Sequence, residues 1–402
     1  MSARNWRLAG AVAAAFLLAA CANNEAADDD DGRTGNGGAV GTGGSGAGGV
    51  VGAGGASGSG GNNDTGGAGG SGGRAGASGS GGRMGTGGTT GSGGATAGMG
   101  GARATGGGGA AGIGGAGGIN KFVGNISTNG AIRTGFVTYW NQFSPENEGK
   151  WGSAQPSQGT FNWAALDREY AYTQSNNIIF KEHNFIWGKQ QPTWVNDTNA
   201  QSAVQTWMNT FCQRYPNTKL IDVVNEPPPH TTPAYINGMG GAGTTGYDWI
   251  VNAFKWARAA CPNAILILND FNTIEQSADN TRIISIVNTI KAAGAPIDAV
   301  GAQGHGAYTT ATATVKGFID KITQQTGLPV YVTEYDINLA DDTQQKNIMQ
   351  EQFTMFWNDA NVHGITLWGY IVGATWETNT GLQQTSGTMR PAMTWLMSFL
   401  GR

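Results

Sequence analysis

Four things are scarce in this 402-residue chain, and together they narrow the reading. Charged residues are 12% of it, the net charge is −4, and Lys and Arg form no cluster. The electrostatic footprint of a nucleic-acid binder is therefore missing. Long apolar runs are missing too: the stretch Leu8 to Ala20 has 13 residues, too few for a stable bilayer-spanning helix. Cysteine occurs three times, at 21, 212 and 261. Large apolar side chains are almost absent between Gly32 and Gly118, where 44 of the 69 glycines fall within 87 residues. Such a segment cannot bury enough surface to offset its ordering entropy, so residues 22–119 are expected to be a disordered Gly/Ala/Ser-rich linker.

Ahead of that linker, Arg4 and Arg7 precede the short apolar stretch, the pattern of an export signal. It ends in Leu18-Ala19-Ala20-Cys21, which resembles a bacterial lipobox. The resemblance implies a signal peptide over 1–21, acylation of Cys21 and, with Ala22 next, an outer-membrane or cell-surface lipoprotein. Ordinary small-residue cleavage and secretion is the alternative. A Gly-rich coil of about 87 residues averages roughly 50 Å end to end and stretches to about 300 Å, a leash for the C-terminal part. The acidic run Glu25 and Asp28 to Asp31 reads as a solvated spacer.

Residues 120–402 carry almost all of the Trp, Tyr and Phe and are enough for one substantial core. Thirteen Trp in so polar a chain suit carbohydrate binding, since aromatic faces pack on sugar rings; any single one is as readily core. Short β-rich runs are expected at 122–125, 142–145, 179–184, 220–225, 265–269, 299–303, 330–334 and 365–368. Amphipathic patterns lie between them at 165–175, 202–214, 249–260, 280–292, 314–325 and 344–358, with a last helix near 391–400. Eight strand–helix units predict an α/β fold, a (β/α)8 TIM barrel, and no Gly-rich phosphate loop comes after the first strand. Cys212 and Cys261 each fall at the end of a predicted helix; one disulfide or two buried thiols both fit an exported chain.

A barrel of this type gathers its active site at the C-terminal ends of the strands. Those ends read Glu146 and Asn147, His183 and Asn184, Asn225 and Glu226, Asn269 and Asp270, Gln303 and His305, Glu334 and Asp336, and Trp368. A retaining glycosidase needs two carboxyls about 5–5.5 Å apart, one protonated and one ionised, and Glu226 and Glu334 end strands that face each other across the mouth. A strand-end Glu alone is as often a salt-bridge member, so context decides.

That context resembles glycoside hydrolase family 10, the (β/α)8 xylanases. Ser144-Pro145-Glu146-Asn147-Glu148-Gly149-Lys150-Trp151 is similar to T-P-E-N-x-x-K-W. His183, Trp187 and Gln190-Gln191-Pro192-Thr193-Trp194 are similar to H-T-x-x-W-H-x-Q-x-P-x-W. Asp222-Val223-Val224-Asn225-Glu226 matches D-V-V-N-E, Gly301-Ala302-Gln303-Gly304-His305 resembles G-x-Q-x-H, and Thr333-Glu334-Tyr335-Asp336-Ile337 matches T-E-x-D-I. Leu367-Trp368-Gly369, with Trp376 eight residues on, matches the last strand and its aromatic loop.

The resemblance implies an endo-β-1,4-xylanase with Glu334 as nucleophile and Glu226 as acid/base, the latter raised in pKa most simply by the Glu334 charge. It further implies that Asn225 bonds the 2-hydroxyl of the reacting sugar and that His305, backed by Asp336, orients Glu334. His183 and Gln303 would line the same subsite, Glu146, Asn147, Lys150 and Gln190 would hold the next sugar, and Trp187, Trp368 and Trp376 would stack as walls. Trp151 and Trp194 are expected to be packing, and His363 structural, at the far end. A zinc site on His183 and His305 is the minor alternative, against which no His-x-His occurs. The chain departs from the family at Gly188-Lys189, at Tyr370-Ile371-Val372-Gly373, and in the three prolines and His230 after Glu226. Xylan or xylo-oligosaccharides are the expected partners, no cofactor or metal is implied, and a monomer is expected. Another β-glucan as substrate, or a non-catalytic carbohydrate-binding barrel, is the competing reading.

Overall fold

The computed structural model describes residues 120–402. The signal region, Cys21 and the linker lie outside the described residues. Eight parallel strands close on themselves in sequence order: β1 (Phe122–Ile126), β2 (Gln142–Ser144), β3 (Ile179–Trp187), β4 (Leu220–Asn225), β5 (Ile265–Asp270), β6 (Ala299–Ala302), β7 (Val330–Tyr335) and β8 (Val362–Leu367). Helices cross over between them, among them Ala164–Ser175, Ala200–Arg214, Asp248–Ala260, Ser277–Ala292 and Thr312–Thr326, and Pro391–Leu400 comes after β8. This is the expected (β/α)8 barrel. Among the described residues no helix is long and apolar enough to cross a membrane.

Strand side chains divide between two compartments, and β4 shows how. Leu220, Asp222 and Asn225 face the barrel interior, while Ile221, Val223 and Val224 join the apolar core between sheet and helices. A register shift between Asp222 and Val224 lets two consecutive valines share one compartment and turns Asn225 back to the interior. Similar shifts occur in β3 between His183 and Ile186 and in β7 between Val332 and Tyr335. Each lies beside a polar side chain of the open end.

The interior is layered. Phe122, Leu220, Ile267, Ala299 and Tyr331 plug the N-terminal end, with Ile179 and Ile265 against them. Gly364 is what admits the Phe122 ring, since a Cβ there would lie 2.3 Å from its Cζ. Above the plug the interior turns polar: Lys181 pairs with Asp222, and the Thr366 hydroxyl donates to Gln142 Oε1 (2.8 Å). Outside β3, Glu182 and the Glu169 of the adjacent helix are buried with no side-chain partner for either oxygen. Burial pushes Glu169 up to about 9 and Glu182 well above its ordinary value. Gly149 leaves room for Glu182; a Cβ at 149 would stand 2.9 Å from both of its carboxyl oxygens.

Two expectations change in detail, and a choice left open between a disulfide and two thiols is decided. The helix predicted over 344–358 is Asp342–Ile348 and Thr354–Asn358 joined by a π turn, Met349–Phe353. Gln352 sits in that turn, buried, donating to the carbonyls of Ala307 (2.6 Å) and Thr310 (3.1 Å) and accepting from the Tyr335 hydroxyl (2.9 Å). His363 lies within β8 rather than before it; its ring meets Tyr331 edge-on at the plugged end. Cys212 and Cys261 are joined, with Cα atoms 5.5 Å apart, linking Ala200–Arg214 to the end of Asp248–Ala260.

Candidate active site

Glu334, near the end of β7, is buried and accepts on both oxygens. Asn269 Nδ2 donates to Oε1 (2.7 Å) and His305 Nε2 to Oε2 (3.3 Å). The other nitrogen of His305 donates to Asp336 Oδ2 (2.9 Å), so the imidazole lies between two carboxylates. Burial alone would lower the His305 pKa, but Asp336 and Glu334 reverse that and raise it well above its ordinary value. Burial would likewise raise Glu334; His183, the bond and charge of His305, and Lys181 outweigh it and hold the carboxyl at about 2. At neutral pH Glu334 is a carboxylate aimed into the mouth.

Glu226 comes directly after β4 with φ +51°, a left-handed conformation costly for a residue with a side chain. Its backbone is tied at both ends: its N–H donates to the Asn269 carbonyl (2.8 Å), and its carbonyl accepts from the Thr231 hydroxyl (2.8 Å). Trp187 Nε1 donates to Oε2 (2.9 Å) and Gln303 Nε2 to Oε1 (3.2 Å). The Glu226 pKa is raised, first by burial. The Trp187 and Gln303 bonds pull the other way, and the charge of Glu334 adds a smaller push upward. Desolvation, and not the neighbouring carboxylate, is thus the main cause, which corrects the expectation from sequence.

Asn269 joins the two halves. Its Nδ2 also donates to Asn225 Oδ1 (2.8 Å), and its Oδ1 accepts from the Thr333 hydroxyl (2.6 Å), which fixes the orientation of the amide. Gln303 Nε2 reaches the same Asn225 oxygen (3.3 Å). With that oxygen occupied, Asn225 presents N–H donors. Sequence reasoning placed Asn269 at a strand end but gave it no role; its position beside Asn225 was the available signal.

Around this centre, His183 Nδ1 donates to Asp222 Oδ2 (2.9 Å), while Trp368 meets its ring edge-on at 5.0 Å. Burial lowers the His183 pKa. Lys150 Nζ donates to Asn147 Oδ1 (3.0 Å) and stands 5.0 Å over the Trp187 ring; Gln190 Nε2 reaches the same oxygen at 3.4 Å. Burial raises Glu146 to about 7, with Lys150 opposing. Trp376, an exposed large aromatic, donates its N–H to Asp336 Oδ2 (2.6 Å) and lies 4.5 Å from the His305 ring. Trp187 was expected only as a stacking wall; its indole N–H is a direct partner of Glu226.

Other side chains turn elsewhere. Trp151 stacks on Trp207 and meets Trp194 edge-on, as packing. His230 stacks on Phe271 at 3.8 Å and binds Asp270 (2.8 Å), which Arg282 also bonds (2.8 Å). Among the described residues no three His, Cys, Asp or Glu side chains are grouped to hold a metal ion.

Two carboxyls in one hydrogen-bonded set, one held ionised and one pushed toward its acid form, can serve as nucleophile and proton donor on a single bond. Comparisons with known proteins agree in fold. The model of glycosyl hydrolase family 10 matches residues 110–398. Endo-1,4-beta-xylanase B of Cellvibrio japonicus is 46% identical over 281 residues, 69% of this chain and 45% of that protein. Endo-1,4-beta-xylanase A of Phanerodontia chrysosporium is 30% identical over 260 residues, 60% of this chain and 62% of that one. This chain therefore spans less than two thirds of either relative. The crystal structure of xylanase 10B from Thermotoga maritima superposes with a TM-score of 0.62 at 21% identity, covering 70% of this chain and 95% of that one.

Proposed function

The chain belongs to glycosyl hydrolase family 10, and from that premise we propose that it is a retaining endo-β-1,4-xylanase. The observation that carries the reading is the opposed environment of Glu334 and Glu226 within one network. Glu334 attacks the anomeric carbon as Glu226 protonates the departing oxygen, leaving a glycosyl ester on Glu334. That ester has lost the carboxylate charge, one of the influences raising Glu226, so Glu226 then ionises more readily and takes a proton from the incoming water. Asn225 offers its N–H to the 2-hydroxyl of the reacting sugar. His305, held by Asp336, keeps Glu334 oriented, and Trp376 braces Asp336. Glu146, Asn147, Lys150 and Gln190 grip the next sugar on the side away from cleavage.

We further propose that the enzyme acts as a monomer. The Leu18-Ala19-Ala20-Cys21 motif supports export and lipid anchoring through Cys21, with residues 22–119 as the leash that lets a surface-held barrel reach its polymer.

Product analysis of the full chain on glucuronoxylan, arabinoxylan and carboxymethylcellulose, beside Glu334→Ala, tests the proposal. Short xylo-oligosaccharides from both xylans, with at least a roughly 10⁴-fold loss in the variant, are expected. Failure to release sugar from either xylan overturns it.

A further inference from the structure

Directly after Glu226 the chain runs Pro227-Pro228-Pro229-His230-Thr231, one of the places where it departs from the family pattern. Three consecutive prolines supply no backbone N–H, so main-chain donors cannot fasten this stretch. The first N–H after them, that of His230, only turns back to the Pro227 carbonyl (3.2 Å). Side chains fasten the loop instead, from two sides. On one side the Thr231 hydroxyl donates to the Glu226 carbonyl (2.8 Å) and accepts from the Gly188 N–H (3.3 Å), next to Trp187. On the other side stand His230 and Arg282.

The His230 ring lies flat on Phe271, and its two nitrogens face two carboxylates. Nδ1 bonds Asp270 Oδ1 (2.8 Å), and Nε2 lies 3.2 Å from Asp279 Oδ1. Arg282, early in the helix Ser277–Ala292, donates to the same two groups, to Asp270 Oδ2 (2.8 Å) and Asp279 Oδ1 (2.9 Å). It also donates to the Pro228 carbonyl (3.3 Å), so one guanidinium holds both the proline run and the strand end behind it. That strand end belongs to the catalytic frame. The Asn269 carbonyl accepts the Glu226 N–H (2.8 Å), and the Asp270 carbonyl accepts the N–H of Gln303 (3.0 Å), whose side chain bonds the Glu226 carboxyl. Neither His230 nor Arg282 bonds that carboxyl, whose partners are Trp187 and Gln303. Their effect on it runs through the backbone. Glu226 has a costly φ of +51°, a conformation that persists only while its surroundings over-determine it. With the loop released on one side, the backbone can relax and swing the carboxyl out of place.

We propose that His230 and Arg282 are positioning residues for the acid/base, fixing the proline loop so that the Glu226 carboxyl can protonate the departing oxygen and later deprotonate water. The proposal rests on the retaining-xylanase reading, and the test keeps the two apart. Phenyl and dinitrophenyl xylobiosides are compared on the full chain. They present the same sugars and differ in their need for a proton, because dinitrophenolate departs without one. His230→Phe keeps a ring on Phe271 and loses both nitrogen contacts; Arg282→Met keeps the length and loses every donor. The initial burst of dinitrophenolate counts competent sites, so the rates refer to folded enzyme alone. On the phenyl substrate both variants should lower kcat/KM about tenfold to a hundredfold, the scale for a misplaced catalytic group. On the dinitrophenyl substrate kcat/KM should stay within about twofold, while kcat and KM fall together about tenfold, because the glycosyl ester still waits for Glu226 as base. An equal fall in kcat/KM on both substrates overturns the proposal, since the two residues then support the site as a whole. Rates within about twofold throughout overturn it as well and leave the xylanase reading standing. Should Arg282→Met fail to fold, His230→Phe decides alone, since Asp270 there keeps its bond from Arg282. No turnover of either substrate by the unsubstituted chain removes the xylanase reading and the positioning role with it.

Discussion

The two ends of the barrel are made from the same eight strands and carry opposite chemistry. At the N-terminal end Phe122, Leu220, Ile267, Ala299 and Tyr331 fill the interior with apolar contact. At the other end Asn225, Glu226, Asn269, Gln303, His305 and Glu334 fill it with polar groups, each bonded to another. One end gains stability from removing surface from water. The other spends part of it on burying carboxyls and on the left-handed backbone of Glu226. Stability and activity should therefore separate along the barrel axis.

Breaking the plug should move stability alone. Phe122→Ala is expected to lower unfolding free energy by about 3–5 kcal/mol in denaturant titration, with kcat on xylan kept in the folded fraction. A matching loss of kcat would mean the two ends are coupled. Breaking the bridge should do the reverse. Asn269→Ala removes donors from both Glu334 and Asn225 and is expected to cut kcat about a hundredfold, at a stability cost of about 1–3 kcal/mol. An unchanged kcat would reduce Asn269 to a structural amide. The smallest effect sharpens the comparison inside the site. The Trp187 N–H favours ionised Glu226, so Trp187→Phe lets that carboxyl keep its proton to higher pH. The alkaline limb of kcat/KM should then rise by about one pH unit. A limb that stays put, or moves down, would detach Trp187 from the acid/base role.

The fold was legible because short apolar runs and amphipathic stretches alternate eight times, and predicted strand bounds mostly fall within three residues of those observed. Strand β8 starts earlier than expected because Val362-His363-Gly364 does not read as strand; its glycine is there for the Phe122 ring. The two carboxyls were legible from their neighbours in sequence. Their electrostatics were not, since the burial of Glu226 and the bonds to its carboxyl come from residues distant in sequence, Trp187 and Gln303 among them. Asn269 escaped for a similar reason. Register shifts in β3, β4 and β7 decide which consecutive side chains enter the interior, and strict alternation cannot predict them. Trp187 was read by its ring alone, although a buried indole N–H usually finds a partner. The pairing of Cys212 with Cys261 needed the two helices to be neighbours, which no local pattern encodes.

Gly149 and Glu182 meet across the segment that carries Asn147 and Lys150. Because a Cβ at 149 would press on both Glu182 carboxyl oxygens, the two positions form one unit of inheritance. A side chain at 149 would have to displace the Glu182 carboxyl and also Pro145, whose Cγ would stand 2.8 Å away, so shortening the residue at 182 removes only part of the obstacle. A library that varies either position alone would discard combinations that varying both would keep.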